Sequence, residues 1–582
     1  MRLPELNELS TSREMVDVFG GYNHNLRIGE GEFYDMQNLT SDGYPVLSVR
    51  KKRGIVKKIN NYSGIISKGK LAYLDGTSFV YGKKVHLMPE LKPGDKTLIP
   101  FGAYIIILPD KIQYNTQDGT WEKLDARFES SGKVTFEMCN VESVTYNYVA
   151  SATAPPDPEN GQYWLDLSTS PHSIKVYSTS TSQWASVATA YVKISNTGID
   201  EHFELYDGIK ISGCTATGTE DLNGSAVVWA KGQDYIVVIG VIPDVVTQDD
   251  VIIVERTMPE MEYITESENR LWGCHYGIVD GEPVNELYAC KLGDAKNWNC
   301  FMNTSQDSYV VSVGTDGAFT GAVTHLGYPL FFKENCIHKV YGNYPANYQV
   351  QTTNCRGVQE GSSKSLAMVN EILYYKSTVD VCAYDGSLPT SVSSALGTER
   401  YTDAVAGSNG SKYYISMKDT AGKWNMFAYD TSRRVWHRED DTQAKAFCCL
   451  GTDLYFVDAG NILTTVSGAL GDGIIGAEGK LEGDLKWYAE TGVIGYSNPD
   501  NKYISKLNIR MTLDLGSTVD LYIQYDSSGN WEHKWSMNGV GTKSFMIPII
   551  PRRCDHLRIK LVGKGDCKIF SVSKVLESGS DM

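Results

Sequence analysis

The residues of this chain that could do chemistry are few and far apart. Its ten histidines are dispersed. His325 and His338 flank one apolar strand region, "LGYPLFFKENCI". Metal ligation wants donors in closely spaced pairs, so packed, hydrogen-bonded histidines are the expectation there. The sequence has no GxSxG elbow, no HExxH, no P-loop and no GxGxxG that opens a helix. The twelve cysteines include no CxxC pair. Most lie at apolar positions such as "LWGC" and "LYAC", where a reduced thiol acts as a small hydrophobe. A reducing site of synthesis is expected. Glycosidases need two carboxylates at a set separation, which sequence does not test for acidic neighbours such as Asp249–Asp250 and Asp440–Asp441. Adjacent residues on a strand point to opposite faces, so these read as solvated loop charges. The chain is therefore not expected to be an enzyme, and no cofactor or metal is expected.

The sharpest enzymatic hint is "QDGTW" at 117–121, which partly resembles the Asp-box turn of sialidase propellers but is one residue short. "DTAGKW" ending at Trp424 and "DSSGNW" ending at Trp531 repeat the theme. A polar hairpin turn followed by an inward aromatic accounts for all three. Trp164, Trp184 and Trp229 could line a sugar site, although the packing of a small domain explains them as well.

One cluster stands out by charge. "SVRKKRGIVKK" places Arg50, Lys51, Lys52 and Arg53 in succession, within a chain of net charge −16. A negative protein does not wrap DNA by counterion release. It can pass DNA through a channel whose wall repels phosphate. With few aromatics interleaved, the cluster is a poor single-strand stacking platform. It reads as a solvated face, a DNA contact or a candidate protein-partner contact, pairing with acidic loops and setting register more than affinity.

The elements that must position these groups are strands. Tyr numbers 36 and Gly 55, a β-protein composition. No apolar run approaches the roughly 18 residues of a membrane span, and no signal peptide is read at the N-terminus. Units beginning at Leu71, Ala103, Arg270, Leu330, Leu373, Tyr413 and Asp453 share one shape: an apolar strand, a polar turn and a second strand. The last spacings are 43, 40 and 40 residues. A period near 40–45 residues predicts propeller blades, about seven here. Asp75-Gly76, Asp118-Gly119, Asp280-Gly281, Asp316-Gly317 and Asp385-Gly386 supply hairpin turns. The period breaks between about Arg127 and Pro259, and clean alternation resumes after about Gly476. The expectation is an all-β chain: an N-terminal segment and first blades at 1–126, an inserted β-rich domain at 127–258, remaining blades at 259–475 and a C-terminal β-sandwich at 476–582.

Three stretches carry a family resemblance. "GGYNHNLRIGEGEFYDMQNLTSDGYPVLSVRKKRG", "ESENRLWGCHYG…ELYACKLGDAKNWNCF" with "GTDGAFTGAVTHLGYPLFFKENCIHKVYG", and "PRRCDHLRIKLVGKG" resemble the β-propeller proteins of phage tails, of the nozzle or packaged-DNA stabilisation type. The resemblance covers most of the chain outside the insertion. It implies a structural virion protein assembled in the host cytoplasm. It further implies a homo-oligomeric, hexameric ring that meets portal, adaptor and other tail proteins and lets genomic DNA through its channel. Related propellers also sit at tail tips, so a receptor-binding or glycan-cleaving propeller is the alternative.

Overall fold

A computed structural model describes residues 10–497 and 500–578. Among them there is no α-helix: strands are joined by turns and five short 3-10 segments. No helix is long and apolar enough to cross a membrane. The chain divides into two compact units, one comprising Met1–Thr97, Phe331–Ile337 and Thr352–Met582, the other Leu98–Leu330 and His338–Gln351.

The repeat seen in the sequence is a repeat of antiparallel strand sets. In the first unit, Tyr62–Lys68, Lys70–Asp75, Ser78–Tyr81 and Lys84–Leu87 form one four-stranded sheet, and Ala367–Val369, Ile372–Lys376, Val381–Tyr384 and Thr390–Ser391 form another. Tyr401–Ser408, Lys412–Asp419, Trp424–Asp430 and Val435–Asp440 are a third set. Ala444–Leu450, Asp453–Asp458 and Ile462–Thr465 are joined by a strand from far upstream, Gly54–Lys58, with the short Lys480–Leu481 beyond it. In the second unit, sheets run from Thr97–Phe101 to Trp121–Lys123 and from Tyr263–Ser267 to Tyr309–Ser312. A further sheet orders Gly321–His325, Tyr328–Lys333, Cys336–Tyr341 and Gln349–Asn354 side by side. The turn chemistry is local: Asp280 (φ 51°) and Gly281 (φ 88°) both take positive φ between Arg270–Val279 and Glu282–Ala289, the two-residue hairpin that Asp-Gly favours.

The central strands of these sheets, such as Lys70–Asp75, Ile372–Lys376, Lys412–Asp419 and Asp453–Asp458, are buried on both faces, so each such sheet needs cover on both sides. In the first unit, Tyr414, Met426 and Ala428 pack on Leu454, and Tyr455, Val457 and Leu463 pack with Val56, Leu71, Tyr73 and Val80. Val369, Tyr374 and Val381 pack with Tyr413 and Tyr429 on the other side. In the second unit, Ile99, Phe101 and Ile106 pack with Leu271 and Cys290. Burial of one such large apolar side chain is worth about 1.5–3 kcal/mol, so stacking dominates the stability of these thin sheets.

Between 126 and 256 the strands pair only with one another. Two sheets close on a core of Phe136, Val192, Ile194, Ile209, Ile236 and Val254. A separate sheet, Tyr148–Ser151 to Gln183–Ser186, is built from the Pro-, Ser- and Thr-rich stretch.

The C-terminal strands do not stand alone. A six-stranded sheet combines Lys502–Leu513, Gly541–Ile547 and Cys567–Ser578 with Ser10–Val16, Leu39–Thr40 and Leu47–Val49. Strand pairing thus places residues 10–49 with the C-terminal body, not with the first sheets of the repeat. The facing sheet is ten strands wide: the 401–440 set continues through Gly21–Tyr22 and Glu32–Gln37 into Lys486–Thr491, Leu557–Lys564, Thr518–Tyr525 and Glu532–Asn538. Both contribute to one core that includes Ile509, Met511, Leu521, Ile523, Trp436 and Trp487.

The upstream strand enters at a tight point. A Cβ on Gly54 would lie 2.1 Å from the Ala469 carbonyl oxygen and 2.5 Å from the Thr465 hydroxyl. Gly54→Ala is expected to destabilise the chain by about 1–3 kcal/mol, read as a lower urea midpoint, because backbone must move to admit the methyl.

Candidate functional site

The 50–53 cluster faces two ways. Arg50 and Arg53 are buried, at 7% and 5% exposure, whereas Lys51 is exposed and Lys52 half-buried. The Arg53 guanidinium reaches Glu439 and Asp440, both at 2.7 Å, and donates to the Thr442 hydroxyl at 3.0 Å. It also lies 5.2 Å from the centre of the Phe456 ring. Arg50 meets Glu482 at 2.9 Å and Asp440 at 3.5 Å, and donates to Asn38 Oδ1 at 2.7 Å. Burial works against a charged Arg53, but Asp440 and Glu439 outweigh it and hold its pKa above the usual range. Burial alone would raise the Asp440 carboxyl; Arg53 reverses that and holds it below the usual carboxylate range.

These placements correct two expectations. Arg50 and Arg53 are not free to contact a partner, because they neutralise carboxylates of their own chain. Asp440 is not a solvated loop charge, because it sits in the same knot. The physical reason is proximity created by the fold: Gly54–Lys58 pairs with Ile462–Thr465, which brings 50–53 against 439–442 and 482. Of the cluster, Lys51 and Lys52 remain outward, and Lys52 holds Asp484 at 3.0 Å.

Lys51 and Lys52 line an open groove of about 810 Å³ together with Lys568, Asp42, Asp514 and Asp566. With Arg50 also on its lining, the groove carries both signs of charge and is not a continuous basic track. It suits a protein surface carrying both charges.

The remaining candidates resolve into packing. His325 and His338 are buried, at 1% and 0% exposure. His338 Nε2 lies 2.9 Å from the Thr315 hydroxyl and its ring meets the edge of Phe319. Among the described residues, no three or more His, Cys, Asp and Glu side chains are arranged to hold a metal. In the 117–121 turn, Asp118 accepts from the Thr120 amide at 2.8 Å and hydroxyl at 2.7 Å, a structural turn bond. Trp121, Trp424 and Trp531 are half-buried and not fully inward. Trp164 meets Trp184 edge-on at 5.4 Å, with Lys175 over the Trp164 ring at 4.9 Å, so these rings pack on one another. Trp229 packs against Tyr191 and Tyr206. All twelve cysteines are free thiols, and all but Cys355 and Cys449 are buried. Burial pushes Cys290 and Cys448 up to about 12, which leaves them unreactive at neutral pH.

Two buried groups gave no sequence signal. Burial pushes the Lys376 amine down to about 8. It borders a cavity of about 180 Å³ and donates to Gln359 Oε1 at 3.1 Å and to the Ser377 carbonyl. His437 is buried at 1% exposure, with no hydrogen-bond partner for either ring nitrogen among the described residues.

No protein-family model matches this chain, and no curated protein matches it. Solved structures with a loose likeness include PorZ, a surface component of the type-IX secretion system of Porphyromonas gingivalis. It is 11% identical, with 90% of this chain and 82% of that one covered at a TM-score of 0.26. Another is an exo-β-1,3-galactanase from Phanerochaete chrysosporium, 8% identical, with 54% and 94% covered at a TM-score of 0.22. A third is an extracellular domain assigned to a hybrid two-component system of B. thetaiotaomicron, 9% identical, with 92% and 99% covered at 0.25. At such scores the likeness transfers neither a fold assignment nor an activity to this chain.

Proposed function

We propose that this chain is a structural virion subunit, a ring-forming nozzle or stabilisation protein of a phage tail that retains packaged DNA and forms its exit channel. The observation that best supports this reading is the long-range pair of Gly54–Lys58 with Ile462–Thr465. A strand from the start of the repeat region completing the last set is the way a radial array of sheets is sealed. The seven strand sets are then the blades of one propeller, 127–258 an inserted domain, and the C-terminal body a sandwich.

The charge and the side chains fit a mechanical role. A net charge of −16 favours passage of a polyanion without adhesion. The most prominent ionisable groups are spent on holding the chain together, with Arg50 and Arg53 the leading case. Identical subunits in a closed ring meet through head-to-tail surfaces. Lys51 and Lys52 are the proposed contacts to an acidic loop of the adaptor or a neighbouring subunit.

Electron microscopy of the particle carrying this chain tests the reading. An axial ring of six copies below the portal is expected; a position at the tip with threefold order, or absence from the particle, would overturn it. At the level of residues, Lys51→Glu is expected to leave the melting temperature unchanged. The same variant should slow assembly by up to about tenfold at low ionic strength, with the difference vanishing in high salt. Light scattering during assembly reads both.

A further inference from the structure

We propose that the six-stranded sheet of the C-terminal body continues from one copy of this chain into the next, the outer strand Gly541–Ile547 of one copy pairing with Ser10–Val16 of its neighbour. This deepens the ring reading, on which it rests only for closure of the assembly. Among the described residues, Gly541–Ile547 pairs with Lys502–Leu513 alone, and Ser10–Val16 with Cys567–Ser578 alone. Each is seven residues long. Each therefore presents a row of backbone N–H and C=O groups with no strand beside it, and such an edge is a template for another chain.

Direction and face both match. The three pairings that lead from Ser10–Val16 through Cys567–Ser578 and Lys502–Leu513 to Gly541–Ile547 are all antiparallel. The two edges are consequently antiparallel to each other, and a neighbour added in the same orientation meets an antiparallel partner. Glu14 and Val16 stand beside Lys574 and Val572, while Lys543 and Phe545 stand beside Met511 and Ile509. Val572 is itself opposite Ile509, which puts all of these on one face. The register that keeps this face and uses the full length of both edges sets Glu14 opposite Lys543 and, on the other face, Arg13 opposite Ser544.

Charge favours that register. Lys574 is the single cation between Glu14 and Glu30, at 2.6 Å from each. One carboxylate charge is left over at this edge. Lys543 is exposed, with no ion pair among the described residues, at the other edge. A lone lysine on an edge strand ordinarily guards against self-pairing. Here it would repel a second Gly541–Ile547 strand in register but complement Ser10–Val16. Exposed methionines on both edges, Met15 at 63% and Met546 at 74%, add apolar surface to be covered.

The test is cysteine cross-linking of the full-length chain. Directly opposed residues on antiparallel strands have Cα atoms about 4.5–5.5 Å apart, within reach of a disulfide. Arg13→Cys combined with Ser544→Cys is expected to give a ladder of covalent multimers under mild oxidation. The single variants, and Ser12→Cys combined with Ser544→Cys, which lies one residue out and on the wrong face, are expected to give none. A covalent dimer from either single variant would mean self-pairing and overturn the proposal. Wild-type multimers in native mass spectrometry without any ladder would overturn the strand pairing and leave the ring standing. A monomer at every concentration, absent from particles, would end both.

Discussion

Arg53→Ala is expected to lower the stability of the first unit by about 3–5 kcal/mol, the cost of leaving partnered carboxylates buried without their cation. Glu439 and Asp440 both lie 2.7 Å from the Arg53 guanidinium, and the Glu439 and Arg53 side chains are each only 6% exposed. Removing the arginine strands charge where water cannot replace it. The residue also precedes Gly54–Lys58, so the loss loosens the strand that completes the last sheet. The urea transition followed by fluorescence of the buried Trp436 and Trp487 is the measurement. Arg53→Met combined with Glu439→Leu should recover much of the loss, since an apolar replacement of a buried pair is often neutral. A loss below about 1 kcal/mol for Arg53→Ala would mean that the pair behaves as a solvated surface bridge.

The second large effect is acid lability at His437. Burial first, and then the charge of Lys412, push the imidazole down to about 3; Asp430 and Asp42 oppose this weakly. Its folded pKa is therefore depressed below the unfolded value of about 6.5. Above 6.5 the ring is neutral in both states and nothing is lost. As pH falls below 6.5 the unfolded chain takes up a proton that the folded chain refuses, so stability declines down to about 3. From pH 7 to pH 4 this single group should cost about 3 kcal/mol. His437→Leu is expected to remove that part of the slope while changing little at pH 7. Urea midpoints of the two proteins at pH 7, 5.5 and 4 decide it; parallel declines in both would place the acid sensitivity elsewhere.

Much of the local architecture was legible because its signals are local. An Asp-Gly pair between alternating apolar residues favours a tight hairpin, and Asp280-Gly281 makes one, whereas Asp316-Gly317 does not: it joins Tyr309–Ser312 to Gly321–His325, which lie in different sheets. Spacings near 40 residues marked strand sets because each set is one short-range unit. The long-range pairings were not legible. Nothing in "GIVKK" says that it will lie against Ile462–Thr465, and nothing in "STSREMV" points to Cys567–Ser578. For the same reason the basic cluster looked outward-facing. Arg50 and Lys51 are identical in charge and neighbours in sequence, and only the fold separates the buried one from the exposed one. The acidic run at 439–441 held the missing half of the knot. Its partners lie almost four hundred residues upstream, beyond the reach of any local pattern.

The ten-stranded sheet has a mechanical consequence. Because Tyr401–Ser408 and Glu532–Asn538 are its opposite margins, tension applied at one is carried to the other through peptide hydrogen bonds and not through a flexible tether. The strand ladder is thinnest at Gly21–Tyr22, where one residue pair, Tyr22 with Trp436, is backed by the Asn38 amide donating to the Glu439 carbonyl at 2.8 Å and by Arg438 donating to the Tyr488 hydroxyl at 3.1 Å. A molecule stretched across this sheet is expected to part along that seam, losing the Tyr22–Trp436 pair together with the bonds that back it.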